Sequence, residues 1–294
     1  MTITKPFQHH LEHKLSNYLA KPFEIIAFQK LHGGSVNYSY LIKGKEQSLF
    51  IKLNSVSSFP KMFELEQRGL ELIASTRTIG VPNVLLQGEF ESYSFLILEF
   101  IENGRKTNSF WEQFGKQIAA LHQKKSEHFG LDYENYIGSV KQPNMKTKSW
   151  VDFFASQRLE AQLKIAFDQK LIDNELKNQL NHLIKRLPKL IPNCSASLLH
   201  GDLWSGNFSA NIKSTPIVFD PAVYYGNREM DIAMSMLFGG FNKQFYEAYN
   251  SVYPLTQGWE ERVDLCNAYP LLVHVNLFGS AYARRLRTAI KKYL

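Results

Sequence analysis

Four polar residues in the C-terminal half stand at spacings that suit phosphoryl transfer. They are His200, Asp202 and Asn207, within one short run, and Asp220, which follows the apolar residues 217–219. In phosphoryl transfer to a hydroxyl group, a carboxylate accepts the hydroxyl proton and an amide five residues later holds a metal ion. Asp202 and Asn207 have this spacing. The pattern therefore predicts that Asp202 is the catalytic base.

Asp220 is predicted to be a metal ligand together with Asn207. Ile217 to Phe219 has the composition of a short buried strand, which would carry the Asp220 carboxylate at its end. Mg²⁺ keeps several waters and takes few protein oxygens, so one carboxylate and one amide suffice beside the phosphates of a nucleotide. The alternative is a His-Gly-Asp turn with a capping aspartate. That alternative accounts for Asp202 but not for all four residues.

The N-terminal third carries the elements that must bring a nucleotide to these residues. A kinase-like small lobe contains a glycine turn between two strands, a lysine on the third strand and a glutamate on the next helix. Strands are predicted at 23–31, 36–42 and 48–53, with Lys52 on the third and a helix over 60–73. Gly33, Gly34 and Ser35 form the predicted turn, whose backbone amides would cover the phosphates.

Lys52 lies among apolar strand residues, where an unpaired ammonium group would be costly to bury. A carboxylate partner is therefore predicted on the following helix. Glu64 and Glu66 are both candidates, and Glu66 is favoured because its spacing to the next strand matches that of related small-molecule kinases. Glu64 would then be a solvated charge in the first turn.

Two further strands, over 84–90 and 94–100, lead to a predicted hinge. Backbone groups of Glu99 and Ile101 would bond the adenine edge there. The polar turn at 102–106 predicts a small lobe over residues 1–102 and a helical lobe over 103–294. Helices in the second lobe are predicted from Asn108 or Ser109 to His122, and over 148–167, 172–187, 228–238, 243–252 and 259–287.

Composition argues against a membrane protein, a secreted protein and a nucleic-acid-binding protein. The chain has 294 residues, a net charge of +7 and two cysteines, Cys194 and Cys266, without metal-ligand spacing. No apolar run reaches the length of a membrane span and the N-terminus lacks a secretion signal, so a cytoplasmic protein with no membrane partner is predicted. The basic residues near the C-terminus suit a helix end, and no nucleic-acid partner is predicted. The sequence indicates no oligomeric state.

The chain resembles the fructosamine kinase, or ketosamine-3-kinase, family, which is related to aminoglycoside phosphotransferases and choline kinases. The resemblance covers nearly the whole chain. Its most specific parts are His200–Asn207, Asp220–Glu229 with Asp231, Gln142-Pro-Asn144 and Trp150–Leu159. It implies an α+β, protein-kinase-like bilobal fold, with an antiparallel sheet and one helix in the small lobe and a mostly helical large lobe.

The resemblance also implies a reaction, in which ATP and Mg²⁺ phosphorylate the 3-hydroxyl of a ketosamine, either a small molecule or a glycated protein lysine. The phosphorylated product is labile, so the amine is recovered and the protein repaired. Trp204 would stack on the sugar, while Tyr224 and Glu229 would border the acceptor pocket. Asp231 would brace the catalytic loop. The alternatives are an aminoglycoside- or choline-type phosphotransferase and a non-catalytic, pseudokinase-like binding protein.

Overall fold

The structure is a computed structural model that describes residues 3–31 and 36–294. A five-stranded antiparallel sheet fills most of the N-terminal third, in the order β1-β2-β3-β5-β4. Its strands are β1 (Ile25–Lys30), β2 (Tyr38–Gly44), β3 (Ser48–Ser55), β4 (Val84–Phe90) and β5 (Tyr93–Glu99). All five predicted strands are confirmed, with ends that differ by a few residues. The central strand β3 is largely buried, as its apolar composition requires.

Two helices accompany this sheet, although only one was predicted. Helix α2 (Met62–Ser75) is the predicted one, and helix α1 (Lys5–Leu19) precedes the sheet. Phe7, Leu11 and Leu15 recur every four residues along α1 and are buried. The Phe7 ring lies 5.9 Å from that of Phe95 on β5, so α1 buries its apolar face against the sheet.

Beyond the sheet the chain is mostly helical. The helices are α3 (Asn108–His122), α4 (Trp150–Phe153), α5 (Ala161–Asp168), α6 (Asn174–Leu190), α7 (Glu229–Leu237), α8 (Lys243–Val252), α9 (Trp259–Phe278) and α10 (Ala281–Ile290). A π-helical segment, Phe154–Glu160, joins α4 to α5, and a short 3₁₀ turn, Lys291–Tyr293, follows α10. Over the described part of the chain, no helix has both the length and the apolar character that crossing a membrane requires.

Short strands connect these helices and carry most of the candidate site residues. They are β6 (Lys125–Ser126), β7 (Asn135–Ile137), β8 (Val140–Gln142), β9 (Ala196–Leu199), β10 (Phe208–Ala210), β11 (Pro216–Val218) and β12 (Tyr224–Gly226). β12, β9 and β6 form one small sheet, while β10 pairs with β11 and β7 pairs with β8.

Two helix boundaries differ from the prediction. The predicted helix over 259–287 is two helices, because Gly279 has φ 89° and ends α9, and α10 begins at Ala281. An apolar helical pattern continues across this break, so the sequence pattern alone does not reveal it. The first helix of the large lobe is capped by the Thr107 hydroxyl, which accepts from the Phe110 amide, and not by Asn108 or Ser109.

Helix α2 and the loop that follows it contact the helical part directly. The Val218 amide donates to the Gly80 carbonyl across 2.9 Å. In α2, Gly69 packs against the side chains of Pro221 and Val223. These contacts bring the segment after Asp220 to the helix that carries Glu66. The lobe division at residue 102 stays a prediction.

Candidate active site

The catalytic loop begins where the buried strand β9 ends, at Leu199. Gly201 has φ 83°, and a Cβ atom there would lie 2.0 Å from the Ala222 carbonyl oxygen. Only glycine fits this close approach. The Ala222 amide in turn donates to the His200 carbonyl across 2.9 Å. The loop is thus fixed against the segment that follows Asp220.

Asp231, in the first turn of α7, bonds the start of the loop that follows β9. Its carboxylate accepts from the backbone amides of His200 at 2.7 Å and Gly201 at 2.9 Å. This confirms the predicted bracing contact. A second layer of contacts was not predicted: His122 is buried, with Nε2 3.1 Å from Asp231 Oδ2 and Nδ1 2.8 Å from the Tyr249 hydroxyl.

Asp202 and Asn207 are in direct contact. The Asn207 amide nitrogen donates to Asp202 Oδ2 at 2.7 Å and to the Asp202 carbonyl at 2.9 Å. Burial, with the charges of Asp220 and Asp231, raises the pKa of Asp202 to about 7, although the Asn207 hydrogen bond works in the opposite direction. A carboxylate tuned in this way can accept a proton near neutral pH.

Lys52 joins the sheet to Asp220, which follows β11. Its ammonium group donates to Glu66 Oε1 at 2.6 Å and also forms an ion pair with Asp220. The helix partner of Lys52 is therefore Glu66, the favoured candidate, and not Glu64. Burial alone would favour neutral Lys52, but the charges of Asp220 and Glu66 outweigh it and raise the pKa of the ammonium group. Lys52 is thus a buried group that stays charged.

The donor set near Asp220 suits a hard cation. The Phe219 amide donates to the Asn207 carbonyl at 3.1 Å, which brings the residue before Asp220 against Asn207. Asn207 makes its bonds to Asp202 through its nitrogen, which leaves its side-chain oxygen for a metal. Within the described residues, no group of three or more His, Cys, Asp or Glu side chains could hold a metal. One carboxylate and one amide match Mg²⁺ bound largely by a nucleotide and water.

The other predicted nucleotide contacts are placed as follows. Glu99 ends β5, and its amide donates to the Asn83 carbonyl at 2.9 Å. Ile101 is half-buried just beyond the strand. Gly33, Gly34 and Ser35 lie outside the described residues.

Of the predicted acceptor contacts, Trp204 lies beside Asp202, the predicted base. The Trp204 amide donates to the Asp202 carbonyl at 3.2 Å, and its half-buried ring lies over the backbone of Gly206. The ring meets Phe238 edge to face, with centroids 5.9 Å apart. Phe238 was not predicted, because it comes from the end of another helix. Trp204 remains the candidate for sugar stacking.

Tyr224 and Glu229 have other partners. Tyr224 is 1% exposed and stacks on Phe153, with the Arg158 guanidinium 4.0 Å from its ring centroid. Glu229 is buried, and both of its carboxylate oxygens accept from Arg262, at 2.6 and 2.8 Å. The bidentate pair with Arg262 thus engages both carboxylate oxygens of Glu229. We therefore leave both residues out of the proposed acceptor pocket.

Comparison with known proteins shows the family to which the chain is similar. The family model described as fructosamine kinase matches residues 7–294. A probable ketoamine kinase of Vibrio parahaemolyticus is 40% identical over 97% of this chain and 98% of its own length. The chloroplastic protein-ribulosamine 3-kinase of Arabidopsis thaliana is 39% identical over 93% of this chain and 84% of its own length.

A solved structure agrees with these relatives. A crystal structure from Haemophilus somnus that carries the name fructosamine-3-kinase superposes with a TM-score of 0.88 at 33% identity, over 97% of this chain and 96% of that one. The fold is of the α+β, protein-kinase-like type. The chain therefore belongs to the fructosamine kinase family and is a phosphotransferase with the fold of that family.

Proposed function

We propose that this kinase transfers the γ-phosphoryl group of ATP to the 3-hydroxyl of a ketosamine. The observation that carries the proposal is that two directly bonded pairs, Lys52 with Asp220 and Asn207 with Asp202, are joined by the hydrogen bond from the Phe219 amide to the Asn207 carbonyl. Family membership supplies the acceptor class, and one relative is named for protein-bound ribulosamines. Phosphorylation would make the adduct labile, release the amine and so repair a glycated protein.

The nucleotide would lie between the sheet and the catalytic loop. Lys52, oriented by Glu66, would hold its phosphates, and the backbone from Gly33 to Ser35 would cover them. The Glu99 carbonyl and the Ile101 backbone would bond the adenine. Asn207 and Asp220 would hold Mg²⁺, which supplies positive charge to the phosphate oxygens when bound.

Asp202 would orient the acceptor hydroxyl and take its proton. Asn207 holds one carboxylate oxygen of Asp202 at 2.7 Å, so the carboxylate is fixed and its second oxygen can face the acceptor. The raised pKa of Asp202, about 7, suits a base that must release the proton again after each turnover. Fixing this geometry before the acceptor binds lowers the entropic part of the barrier.

Trp204 would bind the sugar part of the acceptor. An indole face stacks on C–H bonds of a sugar chain, and Trp204 follows the base by two residues. The acceptor would be a free ketosamine or a glycated lysine on a protein. No nucleic-acid or membrane partner is proposed, and the cytoplasmic location stays a prediction.

The test is a screen of ATP consumption by the purified protein. Ribulosamine, erythrulosamine and fructosamine adducts of lysine are compared with kanamycin and choline, each with and without Mg²⁺. We expect Mg²⁺-dependent turnover with at least one ketosamine, and NMR of the product should place the phosphate on the 3-oxygen. Turnover confined to kanamycin or choline would assign the chain to the other phosphotransferase class.

A matched variant separates catalysis from background. Asp202→Asn keeps the size of the side chain but removes the base, so turnover should fall by about 100-fold to 10,000-fold. Binding of a non-hydrolysable ATP analogue should persist. Near-normal turnover by this variant would remove Asp202 from the proposed role.

A further inference from the structure

Five side chains form a buried polar cluster behind the segment that follows Asp220. They are Asn135, Gln142, Asn144, Arg158 and Tyr269, here called the amide cluster, and each is less than 5% exposed. They come from β7, β8, the π-helical segment, α9 and the loop after β8. The sequence patterns Gln142-Pro-Asn144 and Trp150–Leu159 contribute most of these residues, and the reaction itself uses none of them.

The amide cluster bonds the backbone just beyond Asp220. Gln142 Nε2 donates to the Ala222 carbonyl at 3.0 Å, and Asn135 Nδ2 donates to the Val223 carbonyl at 2.8 Å. Since Ala222 also donates its amide to His200, the residues after Asp220 are bonded on two sides. Directional bonds of this kind fix where a short segment lies.

Bonds within the cluster fix the orientation of its amides. Gln142 Nε2 also donates to Asn135 Oδ1 at 2.7 Å, while Gln142 Oε1 accepts from the Tyr269 hydroxyl at 2.6 Å. Asn144 Nδ2 donates to Asn135 Oδ1 at 3.0 Å. A flip of either the Gln142 or the Asn135 amide would break several of these bonds at once. Both nitrogens are therefore held toward the carbonyls after Asp220.

Arg158 completes the cluster from the π-helical segment. Its guanidinium donates to Asn144 Oδ1 at 2.8 Å and to the Pro143 carbonyl at 2.5 Å. Its charge is buried against the aromatic rings of Tyr224 and Tyr269, at 4.0 and 5.3 Å from their centroids. Burying a cation without a carboxylate is expensive, and apolar side chains could fill the same space. The polar side chains of the cluster are therefore better explained by a role in positioning the bonded backbone after Asp220 than by a role in filling space.

The residue that needs placing is Asp220. It has φ 55°, a left-handed conformation that costs free energy in most residues and persists only where neighbouring contacts impose it. On the opposite side, Pro221 and Val223 contact Gly69 of α2, the helix that carries Glu66. The segment after Asp220 thus lies between the amide cluster and the helix whose Glu66 bonds Lys52.

We infer that the amide cluster positions Asp220 for the metal by holding the carbonyls of Ala222 and Val223. Its members are positioning residues, and the inference rests on the proposed function, which assigns Asp220 to Mg²⁺. In this account the metal site is built into the fold before the nucleotide arrives.

The experiment measures how much Mg²⁺ tightens nucleotide binding, without turnover. The non-hydrolysable analogue AMP-PNP is titrated calorimetrically in Mg²⁺ and in EDTA, and the ratio of the two Kd values is compared among variants. Gln142→Met removes the bond to Ala222 at nearly constant volume. The control is Gln162→Met, which makes the same change at another fully buried glutamine, bonded to Asn276.

We expect Gln142→Met to reduce the Mg²⁺-dependent tightening by about tenfold, as loss of an outer partner of a metal ligand does elsewhere. Gln162→Met should keep the wild-type ratio even if its melting temperature falls as far. Tyr269→Phe removes only the hydroxyl that orients Gln142 and should shift the ratio in the same direction by less. If Gln142→Met does not fold, Tyr269→Phe decides the matter.

Two results would overturn the inference, and they have different meanings. An unchanged ratio in Gln142→Met and Tyr269→Phe would show that the cluster only stabilises the fold, while the proposed reaction would stand. A wild-type protein whose AMP-PNP affinity does not respond to Mg²⁺ would remove the metal role of Asp220, and with it both this inference and that part of the proposed function.

Discussion

Lys52 and Asp220 are separated by 168 positions in the sequence and form a direct ion pair. Lys52 is on the central strand of the sheet and is buried, whereas the Asp220 side chain is 43% exposed. The buried end of this pair is held by Glu66, and the Asp220 end is accessible to solvent. The pair therefore marks the place where phosphates and a cation would meet protein charge.

Asp220→Asn should abolish most of the activity without unfolding the protein. Asparagine tolerates the positive φ of Asp220 better than alanine does, so the backbone should be retained. Loss of a carboxylate ligand should lower kcat by about 100-fold or more. Asp264→Asn, at an exposed ion pair with Lys292, is the control and should keep wild-type kcat. Full activity of Asp220→Asn would contradict the metal assignment.

Glu66→Gln and Glu64→Gln should behave differently, although both residues lie in the first turns of α2. Glu66 is bonded to Lys52 at 2.6 Å, and a charge-assisted bond to a buried ammonium contributes about 1.5–3 kcal/mol. Glu66→Gln should therefore lower kcat/KM for ATP by about tenfold or more. Glu64→Gln should have little effect. Steady-state kinetics with varied ATP provides the measurement, and equal losses in the two variants would argue against the pairing.

Trp204→Ala should impair use of the acceptor more than use of ATP. The half-buried indole lies beside Asp202, and losing its stacking should raise the KM for the ketosamine by about tenfold. The KM for ATP should change little. Trp259→Ala removes a second half-buried tryptophan, at the start of α9, and controls for lost packing. A rise in the KM for ATP alone would contradict the acceptor role.

The free energy of unfolding should decrease as the pH drops below the pKa of an ordinary histidine, partly because of His122. Burial lowers the pKa of folded His122, Asp231 opposes this shift, and Arg228 and Lys125 reinforce it. The unfolded state therefore binds the proton first. The stabilisation is complete above about pH 6.5, the pKa of an unfolded histidine, and is lost as the pH falls from there toward the lower folded pKa.

The measurement is the urea midpoint between pH 7.5 and pH 5. His122→Gln should unfold at a lower urea concentration than the wild type at pH 7.5. On acidification it should lose less stability than the wild type, because unfolding no longer takes up the proton of His122. The slopes of stability against pH should differ by up to about 1.4 kcal/mol per pH unit, the value for one proton. His182→Gln, at an exposed position on α6, should follow the wild-type curve. A wild-type pH slope in His122→Gln would rule out this contribution.

Local features of the sequence were enough to predict the sheet, and they named the candidate reacting groups. Runs of strand-forming residues located all five strands of the sheet, and the spacing of Asp202 and Asn207 singled out two residues that the structure places in contact at 2.7 Å. The apolar surroundings of Lys52 required a carboxylate, because a buried ammonium needs one. These properties depend on neighbours along the chain, which a single sequence displays.

Tertiary structure decided what depends on distant residues. Glu229 was predicted to border the acceptor pocket, and only the structure shows that Arg262, on another helix, holds both of its oxygens. The pairing of Lys52 with Asp220, the His122 contact to Asp231 and the amide cluster behind Ala222 all join side chains from separate elements. The sequence determined which groups could react, since composition and spacing set their chemistry. Packing of distant elements decided which of them meet, because a hydrogen bond depends on position in space.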